Sequence, residues 1–387
     1  MNKKKLLCLL AVILLVALTF TFAGCEIFES ILNDLDFEGI LDGDGEGNTP
    51  PEGPTYYPVI TEDALSIHFL ELGNKYTGDC TLIKIGDVEV LIDAGSRKNS
   101  AGTIVPYVEN YCTDGKLDYV IATHAHQDHI AGFVGTKDAP GVLESFQIGT
   151  IIEFARTDAT SSIYNEYVTE RDAAVSRGAV CYTALECYNN TGNARRSYQL
   201  AEGVTMSVLY NYYYEHDASN ENDYSVCVLI SQGTNHYLFT GDLEHDGEEK
   251  LIENNPLPKV KLFKGGHHGS YTANTAALMA VIQPEIVCVC CCCGSPEYTS
   301  DPANMFPSQE FVNNVMPYTR QIYVTTLGII DPDDPESWSY QSMNGNILVQ
   351  SHGAEVTVTC SNNNTPLPDT AWFKANRIEP ANAKPKS

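Results

Sequence analysis

The chain has 387 residues, 43% of them apolar, which gives room for one large domain or two ordinary ones with a real core. Its formal charge is −27 and it lacks a Lys/Arg cluster of the kind a DNA-binding face requires, so its overall field excludes strong duplex nucleic-acid binding. Of 13 cysteines, Cys8 and Cys25 fall at the amino end, and the odd remainder cannot all pair within one chain.

Lys3-Lys4-Lys5, the apolar run Leu6 to Phe22 and Ala23-Gly24-Cys25 give a basic, an apolar and a small-residue segment in the order of a secretory signal. The pattern resembles a bacterial lipoprotein signal over residues 1–24, with Cys25 as the acylated first residue of the mature chain. An extracytoplasmic protein, lipid-anchored to the membrane, is therefore expected; the apolar run is short for an uncleaved transmembrane anchor. Residues 25–62 are rich in Asp, Glu, Gly and Pro and are expected to form a linker. Asp42 to Glu46 lacks the twelve-residue frame and terminal Glu of a calcium loop.

Leu65 to Leu72, Cys80 to Ile85 and Val88 to Ile92 are predicted as consecutive strands, with Gly86-Asp87 as a hairpin turn. Asp93 ends the last of them, and Gly95 permits a sharp turn. After a predicted helix over 100–112, the apolar Tyr119-Val120-Ile121-Ala122 runs into Thr123-His124-Ala125-His126-Gln127-Asp128-His129. Three imidazoles and a carboxylate in six residues suit zinc and similar divalent ions. In an extended segment His124 and His126 point to one side, while Asp128 and His129, entering a turn or helix, face another and suit a second ion.

Further on, helices are predicted over 163–177, 244–254, 273–283 and 309–316, with strands near Asp118, Thr205, Tyr224, Tyr237, Lys259, Ile286, Gln321, Asn346 and Glu355. The strand at Tyr237 ends on Asp242, and Lys259 to Lys264 runs into Gly265-Gly266-His267-His268-Gly269-Ser270. Loops at the carboxyl ends of strands are where open α/β folds gather ligands. Cys288 and Cys290 to Cys293 follow a buried-strand pattern and are expected to fill a core rather than bind metal. Tyr210 to Tyr214 are expected to pack at an edge, and the Asn- and Pro-rich end from Ser361 is expected to be loose.

Together, Leu70-Glu71-Leu72-Gly73 with Gly78-Asp79-Cys80, Ile92 to Gly95, His124 to Gly132, Asn222 with Ser225, Thr240-Gly241-Asp242, His267 to Ser270, Gly345-Asn346-Ile347 and Ser351-His352-Gly353 resemble the metallo-β-lactamase superfamily. Within it, they are most similar to the hydrolase domain of the ComEC-type DNA-uptake (competence) proteins. The resemblance implies an α/β fold, a four-layer αββα sandwich of two facing mixed sheets with outer helices, over residues 63–360, followed by a tail over 361–387. It implies two divalent metal ions, zinc ahead of manganese, with His124 and His126 on the first, Asp128 and His129 on the second, and Asp242 bridging. One of His267 and His268 completes the second site. His267 is favoured, which leaves His268 to meet the substrate. Asp93, Asp79 and Asn222 would support these ligands.

Two departures stand out. Where many members carry a third histidine for the first metal, this chain has Glu221-Asn222-Asp223-Tyr224-Ser225, so water or Asn222 would complete that site; His216 is the nearest imidazole. Gly294 to Pro302 replaces a segment in which the competence proteins show Asn and His. The expected chemistry is hydrolysis by a metal-activated water, with Asp128 and His268 as catalytic groups. The expected substrate is a phosphodiester, in a nuclease-like role. The runners-up are a smaller ester, such as a phosphocholine ester or a lactone, and a non-catalytic metal-binding surface module. Gly269-Ser270 lacks the strand-turn-helix frame of a serine nucleophile.

Overall fold

Strand β1 (Leu65–Phe69) alternates Leu65, Ile67 and Phe69 with Ser66 and His68, yet every one of these residues is buried. A strand covered on both faces belongs inside a layered structure. In the computed structural model, which describes residues 57–61 and 63–386, Phe69 stacks on Phe239 of the opposite sheet at 6.4 Å between ring centres. On the other face His68 packs against Tyr107 and Tyr111 of helix α1 (Ala101–Tyr111). The predicted signal, Cys25 and most of the predicted linker lie outside the described residues.

The first sheet continues through β2 (Thr81–Ile85), β3 (Val88–Ile92), β4 (Lys116–Ala122), β5 (Gln147–Glu153) and β6 (Val180–Thr183). The second is built from β7 (Ser197–Ala201), β8 (Val204–Val208), β9 (Val228–Gln232), β10 (Asn235–Phe239), β11 (Leu262–Lys264), β12 (Ile286–Cys293), β13 (Ile322–Asp331) and β14 (Asp334–Ser342). The chain then returns as β15 (Ile347–His352) and β16 (Glu355–Cys360), giving eight-stranded sheets in the orders β16-β15-β1-β2-β3-β4-β5-β6 and β14-β13-β12-β11-β10-β9-β8-β7. Both sheets are mixed: β1 to β3 pair antiparallel and β3 to β6 parallel, while β10 to β13 pair parallel between antiparallel flanks.

Strand β12 shows why the cysteine run reads as core. Ile286, Cys288 and Cys290 face the core between the sheets, whereas Val287, Val289, Cys291 and Cys293 face the outer helices. Those helices include His245–Asn254, Ala276–Ile282 and Gln309–Val315, which supply Leu251, Leu278, Met279, Ile282, Phe311, Val312 and Val315. The result is the four-layer αββα sandwich. Among the described residues no helix is long and apolar enough to cross a membrane.

Three details differ from the sequence expectations. Glu221–Tyr224 is a 3₁₀ turn rather than strand, because Asn220 caps it by accepting the amide of Asn222. Strands β5, β6, β7 and β14 and a short helix over Ala184–Asn189 were not foreseen. The end of the chain is packed rather than loose: Leu367 and Phe373 are buried in the apolar cluster that also contains Val312 and Met316, and the Arg377 guanidinium donates to the carbonyls of Pro302, Met305 and Pro307.

Candidate metal centre

Strand register brings four chain segments to one rim. Ile92 of β3 pairs with Ile121 of β4, so Asp93 and Thr123 leave the first sheet side by side. Leu238 of β10 pairs with Phe263 of β11, so Asp242 and the loop after Lys264 leave the second sheet together. Asp93 adopts left-handed backbone, φ 58°, and accepts hydrogen bonds from the Thr123 amide and hydroxyl, both at 2.8 Å.

His126 caps helix α2 (Gln127–Val134), which puts Asp128 and His129 in its first turn. His124 Nε2 lies 3.0 Å from His126 Nδ1. His129 is fully buried, with Nδ1 2.8 Å from Asp93 Oδ2 and Nε2 3.0 Å from Asp242 Oδ2. His268 Nε2 lies 3.2 Å from Asp242 Oδ2 and 3.3 Å from Asp128 Oδ2. Thus Asp128, His129, Asp242 and His268 converge across the two sheets, with His124 and His126 beside them.

The preference for His267 as ligand does not match this arrangement. His267 holds its Nδ1 2.8 Å from Thr272 Oγ1 and 3.3 Å from Glu244, with Nε2 3.9 Å from Asp242. Both histidines have left-handed backbone, φ 43° and 52°, between Gly266 and Gly269. That twist turns His268 inward and leaves His267 partly exposed at the mouth. Such strain is tolerated where surrounding structure over-determines it.

Of the expected supporting residues, Asp93 holds His129 and Asp79 reaches the centre itself. One ligand atom each of Asp79, His129, Asp242 and His268 lies within 4.8 Å of the others. Asn222 donates to Glu244 at 3.0 Å, and its buried Oδ1 has no hydrogen-bond partner. His216 instead is exposed and stacks on Tyr212 at 3.8 Å.

Three residues went unnoticed in the sequence. Lys264, buried at the end of β11, pairs with Asp79 and stands 3.8 Å from Asp242 Oδ1. Tyr298 donates to Asp128 Oδ2 at 2.9 Å, and Glu244 joins Asn222, Thr272 and His267. The visible signal for Lys264 was its position as the last strand residue before a histidine-bearing loop.

The electrostatics follow from burial against mutual attraction. Burial, aided by the neighbouring His129 and His126 rings, holds His124 well below its ordinary pKa, in the neutral form that binds metal. Burial tends to raise the Asp242 carboxyl, but His129, His268 and His267 outweigh it and hold it well below the ordinary range. Burial opposes charge on Lys264, yet Asp79 and Asp242 keep its ammonium protonated above its usual value. The donor set of imidazole and carboxylate, and the buried Oδ1 atoms of Asp242 and Asp79 without hydrogen-bond partners, fit a bound divalent cation.

The sequence profile of the Metallo-beta-lactamase superfamily matches residues 73–144, the stretch that carries Asp79, Asp93 and His124 to His129. Over that stretch the chain is similar to the metallo-β-lactamase superfamily. The chain is 32% identical over 69 residues to "Recombination protein 2" of Haemophilus influenzae, covering 18% of this chain and 8% of that protein. It is 24% identical over 174 residues to "ComE operon protein 3" of Bacillus subtilis, covering 44% of this chain and 19% of that protein. It therefore spans under a fifth of the length of these curated relatives. Among solved structures, the metallo-beta-lactamase fold protein YhfI from Bacillus subtilis aligns at 15% identity and a TM-score of 0.38, covering 68% of this chain and 96% of that one.

Proposed function

We propose that this chain is a metallo-β-lactamase superfamily hydrolase, a metal-dependent phosphodiesterase with a nuclease-like role, acting outside the cytoplasm from a lipid anchor on Cys25. The observation that carries the catalytic part is the convergence of Asp128, His129, Asp242 and His268 from both sheets at the rim where His124 and His126 also lie. The likeness to Recombination protein 2 and ComE operon protein 3, with the resemblance to DNA-uptake hydrolase domains, supports the substrate class.

In this reading His124 and His126 would hold one divalent ion and Asp128, His129 and His268 the other, with Asp242 able to contribute a carboxylate oxygen to either. When bound, such ions lower the pKa of water and stabilise negative charge on the attacked group. Asp93 fixes the tautomer of His129 through Nδ1. Tyr298 steadies Asp128 by donating to Oδ2. His267, held at Nδ1 by Thr272 and near Glu244, keeps Nε2 available to donate a proton to the leaving oxygen, a role that passes to it from His268.

The test is metal content of the purified protein together with turnover of bis(p-nitrophenyl) phosphate. His126→Ala is expected to abolish turnover while the circular dichroism of the fold is kept; unchanged turnover refutes the site. The net charge of −27 favours a second reading, a small ester such as a phosphocholine ester or a lactone. A substrate panel separates the two, since the second predicts faster turnover of the small esters than of any nucleic acid.

A further inference from the structure

We infer that Lys264 is a resident counter-cation that keeps Asp79 out of the ligand set and thereby limits how tightly the centre binds divalent metal. The inference rests on reading this rim as a metal centre. The Lys264 side chain is only 4% exposed, and its Nζ is paired with Asp79 while standing 3.8 Å from Asp242 Oδ1. It brings a fixed positive charge into a group where Asp79, Asp93, Asp128 and Asp242 converge.

Asp79 has the position of a ligand without the freedom of one. Its carboxylate lies within 4.8 Å of the ligand atoms of His129, Asp242 and His268, and its buried Oδ1 has no hydrogen-bond partner. That oxygen is 3.2 Å from His268 Nδ1, but the His268 Nδ1 proton has the Cys290 carbonyl at 2.9 Å to receive it. The other carboxylate oxygen, Oδ2, faces the ammonium. A lysine is a compact point charge that pairs strongly with a carboxylate in a water-poor site, and removing one partner of a buried pair leaves the other charge uncompensated.

The main chain of Asp79 is held independently of this pair. Its amide donates to the Asp128 carbonyl at 3.0 Å, and its carbonyl accepts from the Gly95 amide at 2.9 Å. Changes at the Lys264 and Asp79 side chains therefore act on charge while the loop stays in place. A purely structural ion pair would alter stability when broken and leave metal affinity alone.

The deciding experiment titrates the full-length chain with Zn²⁺ in competition with a chromophoric chelator, with circular dichroism as the check on folding. Lys264→Met is expected to bind Zn²⁺ about tenfold more tightly, because a positive charge is lost and the Asp79 carboxylate is released. Asp79→Asn is expected to bind about tenfold more weakly, because the ammonium then turns wholly to Asp242. The double variant Asp79→Asn/Lys264→Met should lie close to wild type. Affinity unchanged or lowered in folded Lys264→Met, or unchanged or raised in Asp79→Asn, overturns the inference. If Lys264→Met does not fold, Asp79→Asn and the double variant decide it. A wild-type chain that takes up no Zn²⁺ overturns the metal-centre reading itself, which distinguishes that failure from this one.

Discussion

Asp93 Oδ2 lies 2.8 Å from Nδ1 of His129 and 2.8 Å from the Thr123 hydroxyl, so one carboxylate oxygen ties the end of β3 to both the histidine loop and α2. With Nδ1–H of His129 donating to the Asp93 carboxylate, Nε2 is the ring nitrogen that would be left to a bound ion. Asp93→Ala is expected to weaken metal binding by roughly 10- to 100-fold, as loss of such outer partners does elsewhere. A competition titration against a chelator measures it; affinity equal to wild type would remove Asp93 from the account.

Gly95 is required by contact. A Cβ there would lie 1.5 Å from the Asp128 carbonyl oxygen and 2.7 Å from the His129 amide nitrogen, both main-chain atoms that cannot step aside. Gly95→Ala is therefore expected to lower stability by about 3 kcal/mol or more, at the upper end of overpacking costs. Urea denaturation reads this, and a loss under about 1 kcal/mol would show that the loop yields.

His68 makes stability depend on pH away from the centre. Burial first, and then the nearby Lys84, lower its pKa from 6.5 to about 3, with Tyr107 Oη 3.0 Å from Nδ1 and the Tyr111 ring 4.4 Å away. Between those values the unfolded chain binds a proton that the folded chain refuses. The contribution is complete above pH 6.5, falls as the pH drops toward about 3 and is constant below that. The slope is at most about 1.4 kcal/mol per pH unit. Replacing His68 with Gln should flatten the stability-pH curve across this window relative to wild type; parallel curves would assign the acid sensitivity elsewhere.

Removal of residues 361–387 should be costly. Burial of a Leu or Phe side chain stabilises by about 1.5–3 kcal/mol, and both Leu367 and Phe373 are buried. The truncated chain would also leave the carbonyls of Pro302, Met305 and Pro307 without the Arg377 guanidinium. A stability loss of about 4 kcal/mol or more is expected from urea denaturation of the truncated chain. A loss below about 1 kcal/mol would return the segment to the status of a loose end.

The histidine loop was legible because its spacing is local: His124, His126, Asp128 and His129 need only one strand and the first turn of one helix to come together. Asp93 and Asp242 were legible as strand ends. Which of His267 and His268 turns inward depends on two left-handed backbone conformations, and no residue pattern announces those in a histidine pair. Lys264 reads as one of three lysines within six residues, Lys259, Lys261 and Lys264, and only the pairing of β11 between β10 and β12 shows that it is buried. Tyr298 reaches Asp128 across 170 positions, a separation that local patterning does not encode. Strand β14 was missed because it opens on Asp334-Pro335-Glu336 and only Trp338 and Tyr340 alternate with polar residues, too short an apolar pattern to read as a strand; its place comes from pairing with β13. The carboxyl end was misread because its Asn residues suggest solvent, whereas Asn362 and Asn363 donate to the Met343 carbonyl.

Strand β12 carries five buried sulfurs, of which Cys288 and Cys290 face one interior and Cys291 and Cys293 the other, and burial raises the pKa of all five thiols. An alkylating reagent, which needs an accessible thiolate, finds none of them in the closed molecule. The chain thus carries its own gauge of opening. Modification at Cys288 or Cys290 reports separation of the two sheets, and modification at Cys291 or Cys293 reports helices lifting from the outer face.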